Sequence, residues 1–438
     1  MKVAKSQPVL AKKKVLIIAY YWPPAGGPGV QRWLKFVKYL PEFGFEPVVY
    51  VPENPNYPIV DHSLVSEIPK TTTVLKHPIF EPYKFAGFLS KKETQTMSSG
   101  LITAEKKQSF LQKMLLYVRG NFFVPDARKF WVKPSVKFLS EYISEEKIET
   151  IITTGPPHSL HLIGLRLKRE LNLKWIADFR DPWTNIGYQE KLKLSETSQK
   201  KHQKMEEEVL QTADLVLTTS FSTKKEFQTR TEKPIKVITN GFDEKPIEET
   251  ILDRDFTISH IGSLLSERNP RQLWEVFSEL IAENEAFDQL FRLQLIGKTS
   301  QEVLDSVKHF GLEKHLDLIG YVPHSKAMEF QQKSQVLLLL EIDSPKTKGI
   351  IPGKLFEYMR SERPILAIGP KNWDVQKIIS ETQTGNCFGY QEKEAIKQQL
   401  LDYFSDFQQE KLQTKPVGIQ KYGRKELTKK LVETIRKL

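Results

Sequence analysis

At 438 residues, with 39% hydrophobic and 27% charged residues, the chain is long enough for about two to three domains with their own cores and excludes long disorder. The single Cys387 excludes an intrachain disulfide framework and a multi-cysteine zinc site, and fits a reducing compartment. A net charge of +11 calls for anionic partners, and with no zinc-finger spacing, RNP-like string or basic arm, and with scattered lysines, nucleic acid is not among those expected.

The chain opens on a basic stretch and the apolar run VLIIAYYW. That run lacks an A-x-A-like cleavage site and is far shorter than the ~20 residues of a membrane span, so it reads as a first strand and predicts a cytoplasmic protein, at most peripheral to a membrane. Val15 to Tyr20 is that strand, Pro23 to Gly29 supplies three glycines and three prolines, Gln31 to Leu40 is a helix, and Pro47 to Val51 is the next strand. In this βαβ unit Gly26 and Gly27 lack Cβ atoms, so a diphosphate can approach the backbone. GGPG is not G-x-G-x-x-G, and a plain strand-to-helix connection explains the loop equally well.

Residues 54–133 are the least regular part and read as an insertion. Tyr83 to Lys92 and Lys113 to Lys133 interleave aromatic side chains with Lys and Arg, a mixture that suits an anionic lipid surface or, as readily, an inserted helical pair with aromatic core residues. Regular units return at Glu149. A strand to Thr154, the loop around His158, a helix from Leu160, a strand from Lys174 to Asp178 and the loop DFRDPW follow. His158, Arg180 and Asp181 thereby emerge on the sheet edge that carries Gly26. His158 is a candidate base or sugar-hydroxyl partner, or an ordinary capping residue; Asp178, Arg180 and Asp181 are a candidate polar site, or an internal ion pair bracing the turn at Pro182.

Asn240-Gly241 and the polar stretch after it mark a linker, dividing a first domain, 1–245, from a second, 246–438. The second repeats the strand–loop–helix pattern through FTISHIG, FRLQLIG, LDLIG and VLLLLEID. Arg268 and Lys298 stand just past strand ends, where a pyrophosphate needs cations; ordinary surface charge is the alternative for both, more so for Lys298. In TKGIIPGKLFEYMRSERPILAIGP a loop precedes a helix on which Lys354 and Glu357 share a face, a cation for phosphate and an acceptor for ribose hydroxyls, or simply a solvated i,i+3 pair.

The strings KVLIIAYYWPPAGGPGVQRWLKFVKYL, TTGPPHSLHLIGLRLK, KWIADFRDPW, VITNGFD, HIGSL and KGIIPGKLFEYMRSERPILAIGP, in this order across nearly the whole chain, resemble bacterial glycosyltransferase family 4, retaining enzymes. The resemblance implies an α/β chain of GT-B fold, two doubly wound Rossmann-like domains facing each other across a cleft. It also implies an N-terminal acceptor-side domain and a C-terminal domain holding a nucleotide-sugar donor, with neither cofactor nor metal. By the same resemblance Gly26 and Gly27 match first-loop glycines near the donor phosphates, and Glu357 matches the second glutamate of an E-x7-E motif that holds ribose, with Lys354 inside it. Gly349 stands where the motif's first glutamate is usual, and Ser263 where an arginine often opens the GRL-type string. These departures bear on sugar recognition and donor identity. The expected donor-binding set is Gly26, Gly27, Arg268, Lys298, Lys354 and Glu357; the catalytic candidates are Asp181, Arg180 and His158, with no covalent role. The expected reaction is sugar transfer with retention to an acceptor hydroxyl in surface-polysaccharide or glycolipid assembly, with a lipid-linked saccharide acceptor at the inner membrane face. A nucleotide-sugar 2-epimerase and a non-catalytic nucleotide-sugar-binding scaffold are the alternatives.

Overall fold

The computed structural model describes residues 12–82, 110–190, 192–243 and 250–438. The chain forms two compact units, Met1–Thr239 with Arg424–Leu438, and Asn240–Gly423. The break falls at Thr239/Asn240 where the expected boundary is 245/246, and the final helix belongs to the first unit.

In the first unit seven parallel strands lie in the order β3-β2-β1-β4-β5-β6-β7. They are β1 (Lys13–Ile18), β2 (Phe45–Glu53), β3 (Thr73–Pro78), β4 (Thr150–Gly155), β5 (Lys174–Phe179), β6 (Leu215–Thr218) and β7 (Ile235–Val237). Along β1, Leu16 and Ile18 join one apolar cluster and Val15 and Ile17 another, so helices cover both faces, as an all-parallel sheet requires. β3 lies inside the expected insertion and extends the sheet by pairing with β2 from Val48↔Thr73 to Glu53↔Pro78. Residues 54–133 are therefore partly sheet, with helices Phe110–Phe122 and Lys129–Glu145 bracketing their end.

The second unit has six strands in the order β10-β9-β8-β11-β12-β13, again all parallel. They are β8 (Phe256–Ile261), β9 (Phe291–Ile296), β10 (Leu316–Gly320), β11 (Val336–Leu340), β12 (Ile365–Gly369) and β13 (Gly385–Gly389). β11, the uninterrupted apolar run, is buried throughout. Just beyond it the helix Gly353–Tyr358 buries Leu355, Phe356 and Tyr358. Those contacts fix how Lys354 and Glu357 are presented.

Strand order reverses between β1 and β4 in one sheet and between β8 and β11 in the other. At such switch points the loops leave in opposite directions and open a crevice at the carboxyl ends of the strands. Eight of the nine candidate residues stand on the loops and helix starts that follow β1, β4, β5, β8 and β11; Lys298 follows β9.

Candidate functional site

In the first unit the centre of the loop edge is Asp178, the member of the DFRDPW cluster that the catalytic candidates leave out. Asp178, fully buried near the end of β5, accepts hydrogen bonds from Arg32 Nη2 (2.8 Å) and Nε (3.2 Å), from Trp33 Nε1 (2.7 Å) and from Thr154 Oγ1 (2.9 Å). Burial alone would raise its pKa, but the Arg32 charge and these donors outweigh it and hold the carboxyl below its ordinary value. Arg32 also donates to the carbonyls of Ile238 and Thr239, so one buried ion pair fastens the first helix to the end of the sheet. Asp178 therefore pairs with Arg32 across 146 positions and not with its neighbour Arg180. Sequence spacing carries no signal for so distant a partner.

Arg180 spends its guanidinium on backbone. Nη1 donates to Gly29 O at 2.8 Å, Nε to Gly155 O at 3.3 Å, and Nη2 to Pro156 O, tying the loop after β1 to the loop after β4. A Cβ on Gly29 would lie 2.3 Å from Nη1, so the third glycine of GGPG is the one this arginine requires. Gly26 answers to another neighbour: its N–H donates to Ile59 O at 2.9 Å, and a Cβ there would meet the Ile59 side chain at 2.8 Å. Gly27, at φ 92°, occupies a left-handed conformation at the entry to the helix Pro28–Tyr39.

His158 is 4% exposed and stacks on Trp183 with ring centroids 4.9 Å apart. Among the described residues, neither of its ring nitrogens has a hydrogen-bond partner. Burial, His161 and the Arg180 charge together push its pKa well below the ordinary imidazole range, so it stands as a neutral imidazole with a lone pair and an N–H uncommitted. Asp181 is half-buried, and burial raises its carboxyl pKa against the lowering effect of Arg180. These two are groups that exchange protons and hydrogen bonds; Arg180 positions the loops that carry them.

In the second unit, Arg268, after β8, meets Glu341, the residue that closes β11. Arg268 Nη2 donates to both Glu341 oxygens, at 3.0 and 3.2 Å, and Nε donates to Oε1 at 3.1 Å. The Glu341 side chain is fully buried and that of Arg268 is 30% exposed, so the pair is anchored inside and open outside. Lys354 Nζ donates to Ile261 O at 3.1 Å and sits 3.3 Å from His260 Nε2. Burial, with Arg268 close by, lowers its pKa to about 7, although Glu341 works against the shift. Glu357 turns elsewhere and accepts from Gln331 Nε2 at 3.1 Å through Oε2. The solvated i,i+3 pair is therefore not what the helix forms.

The structure brings Arg268 and Lys354 together around Glu341, with Glu357 one helical turn on. Lys298 is exposed on the loop after β9, where its carbonyl accepts from Leu264 N at 2.9 Å. Glu341 and His260 complete the cluster, and both left traces in the sequence: a carboxylate ending an apolar run, and a lone imidazole inside a buried strand.

Residues 242–425, which span nearly all of the second unit, match the family Glycosyl transferases group 1. No curated protein matches the chain as a sequence. Among solved structures, a glycosyltransferase from Rickettsia africae is 14% identical with a TM-score of 0.59, covering 97% of this chain and 98% of that one. HepE of Anabaena in complex with UDP is 13% identical with a TM-score of 0.60, covering 97% and 100%. Sucrose-phosphate synthase of Thermosynechococcus elongatus is 13% identical, TM-score 0.59, covering 97% of this chain. The two parallel sheets and these likenesses give the chain the GT-B fold, with a second unit that matches the glycosyl transferases group 1 model.

Proposed function

We propose that this chain is a glycosyltransferase that moves a sugar from a nucleotide-sugar donor to an acceptor hydroxyl. The observation that carries the reading is a charge imbalance at the β8/β11 switch point. Arg268 pairs there with a single carboxylate, Glu341, Lys354 lies within electrostatic reach of both, and the adjacent His260 is held neutral by burial and by the nearby lysine. With Lys354 protonated, two cations against one anion leave positive charge unmet, and a diphosphate supplies its complement. HepE is described in complex with UDP, and a nucleoside diphosphate is what we carry over to this site.

In the reaction, charge develops on the leaving diphosphate, where preorganised cations stabilise the transition state more than the ground state. Arg268 and Lys354 are those cations, and no metal enters the proposal. Glu357, anchored through Oε2, offers Oε1 to ribose hydroxyls. On the acceptor side His158 and Asp181 orient a hydroxyl, with Arg180 holding their loops in register. The family resemblance supports retention, and with it a role in surface-polysaccharide or glycolipid assembly on a lipid-linked acceptor.

The test is a thermal-shift screen of UDP-, GDP-, ADP- and dTDP-sugars, followed by product analysis with the stabilising donor. Donor consumption that needs an added saccharide acceptor supports transfer. Consumption without acceptor, releasing a 2-epimer, means an epimerase; binding without turnover means a scaffold; no shift with any nucleotide-sugar overturns the reading.

A further inference from the structure

His260 belongs to a part of the cluster that diphosphate binding does not itself explain. It lies in the middle of the second sheet, on β8, 1% exposed, where an imidazole costs free energy unless its nitrogens are matched. Both are matched, and in an ordered way. Nδ1 lies 3.1 Å from the carbonyl of Leu338 on the neighbouring strand β11; the backbone of Ser263 also bonds to the ring, but the Leu338 contact is the stronger, and because a carbonyl can only accept it places the proton on Nδ1. That assignment leaves Nε2 as a bare lone pair, and Nε2 is the atom 3.3 Å from Lys354 Nζ. The second acceptor on Nζ is Ile261 O at 3.1 Å, the next residue on the same strand, so β8 offers the ammonium two adjacent acceptors.

We propose that His260 is the positioning residue for Lys354: its tautomer, set by the Leu338 carbonyl, points a lone pair that holds the amine at the β8/β11 switch point, so that anion binding there is coupled to proton uptake by Lys354. The inference rests on the diphosphate site proposed above and adds its regulation by pH. The groups facing Lys354 are few. Arg268, from the loop after β8, opposes its charge; Glu341, at the end of β11, favours it; His260, on β8, accepts from it. Tyr358, on the helix of Lys354 itself, has its hydroxyl turned to the backbone of Ile261, 3.1 Å from the N–H and 3.4 Å from the carbonyl. With burial and Arg268 opposing the ammonium, the free site holds Lys354 protonated below about pH 7 and largely neutral a unit above it. A bound diphosphate reverses the balance of charge, and the amine takes up a proton as the anion arrives.

Two measurements on the full chain test this. The first follows Lys354 without ligand: competitive acetylation across a pH series, read by mass spectrometry on the Lys354 peptide. The second is calorimetry of the nucleoside diphosphate of the best donor, in buffers of differing ionisation enthalpy, at about pH 6 and pH 8.5. The variants are His260→Asn, whose amide can still donate to Leu338 O but ends short of Lys354, and His260→Gln, which reaches far enough to restore an acceptor. The wild type should label with a midpoint near 7 and take up close to one proton at the higher pH and almost none at the lower. His260→Asn should lower the midpoint and lose about tenfold more affinity at pH 8.5 than at pH 6, and Gln should recover part of it. A purely structural role for His260 would weaken binding equally at both pH values and leave the labelling midpoint alone, and that result overturns the proposal. If no nucleoside diphosphate binds, the donor reading fails, and the labelling series still decides whether His260 sets the protonation of Lys354.

Discussion

Arg268 and Lys354 carry the same formal charge into one cluster but differ in what their loss leaves behind. Removing the Arg268 side chain strands the fully buried Glu341 carboxylate. Breaking a buried pair in this way costs about 3–5 kcal/mol, and the partial exposure of Arg268 places the expected loss at or below the low end of that range. Arg268→Ala should therefore lower both stability and nucleotide affinity, whereas Arg268→Ala/Glu341→Gln should regain most of the stability in urea unfolding and none of the affinity. Lys354 strands no charge when removed, because its fixed partners are a carbonyl and a neutral imidazole. Lys354→Ala should unfold like the wild type yet bind nucleoside diphosphate more weakly by about 1–3 kcal/mol, and Glu357→Ala should match it in binding. Unchanged affinity in both of these variants would remove the donor assignment. Glycines give a second residue-scale contrast. Gly29→Ala drives a methyl to 2.3 Å from Arg180 Nη1, whereas a Cβ on Gly353 meets nothing within 4 Å. The first should cost about 1–3 kcal/mol by displacing the clamp between the β1 and β4 loops, and the second should be near neutral, as thermal unfolding of the pair will show.

At the scale of elements, the histidines around the ends of β4 and β5 make the first unit acid-sensitive. His158, His161 and His202 are all buried, and burial is the largest cause of the lowered pKa in each, with His161 brought down to about 3. In the unfolded chain each imidazole titrates near 6.5, so between that pH and the folded value the unfolded state binds the extra proton. Their contribution is fully present above about pH 6.5 and is lost progressively as pH falls, at up to about 1.4 kcal/mol per pH unit for each group. Urea unfolding between about pH 6.5 and 4.5 should show that decline before most carboxylates titrate, and His158→Phe, which keeps an aromatic ring against Trp183, should flatten it. A stability constant across the window would show that these rings reach water. The same elements mark what sequence alone can and cannot reveal. β1 and β11 were legible because a strand buried on both faces reads as an unbroken apolar run, and β4 and β8, whose runs are broken by Thr, Ser and His, were legible from the loop and helix signals that follow them. β3 was not, because an edge strand with both exposed and half-buried positions has no such run. His158 and Asp181 fell at the right strand ends. The surroundings did not follow, since Arg32 and Trp33 reach Asp178, and Trp183 reaches His158, from other segments of the fold, and a local pattern records no such meeting.

At the scale of the whole molecule, no helix among the described residues is long and apolar enough to cross a membrane, and the membrane contact proposed for the acceptor is a peripheral one. Tyr83 to Lys92 lies outside the described residues. Of the second expected stretch, Phe122 and Phe130 are exposed, as are Met114, Tyr117, Lys113 and Lys133, but Arg128 is half-buried and turned onto Glu81 and Tyr20. Flotation with anionic vesicles should therefore be lost in salt and weakened by neutralising Lys113, Lys129 and Lys133, at about 1 kcal/mol per charge; recovery in the soluble fraction under every condition would point to a soluble acceptor. The chain's end makes the sharper prediction. Helix Arg424–Arg436 buries Leu427, Leu431, Val432 and Ile435 in the core of the first unit, and Arg436 donates to Phe43 O at 2.8 Å. Burying each of these aliphatic side chains is worth about 1.5–3 kcal/mol, together comparable to the whole stability of a domain. A chain ending at Gly423 should thus lose cooperative unfolding of the first unit and expose apolar surface to a hydrophobic dye. Residues 240–423 expressed alone keep all six strands of their sheet together with Arg268, Glu341, His260 and Lys354, so they should fold and bind nucleoside diphosphate without the rest. If instead the truncated chain keeps a native first unit while the isolated fragment fails to fold, the last helix is dispensable and the division at Thr239 and Gly423 does not describe how the molecule holds itself together.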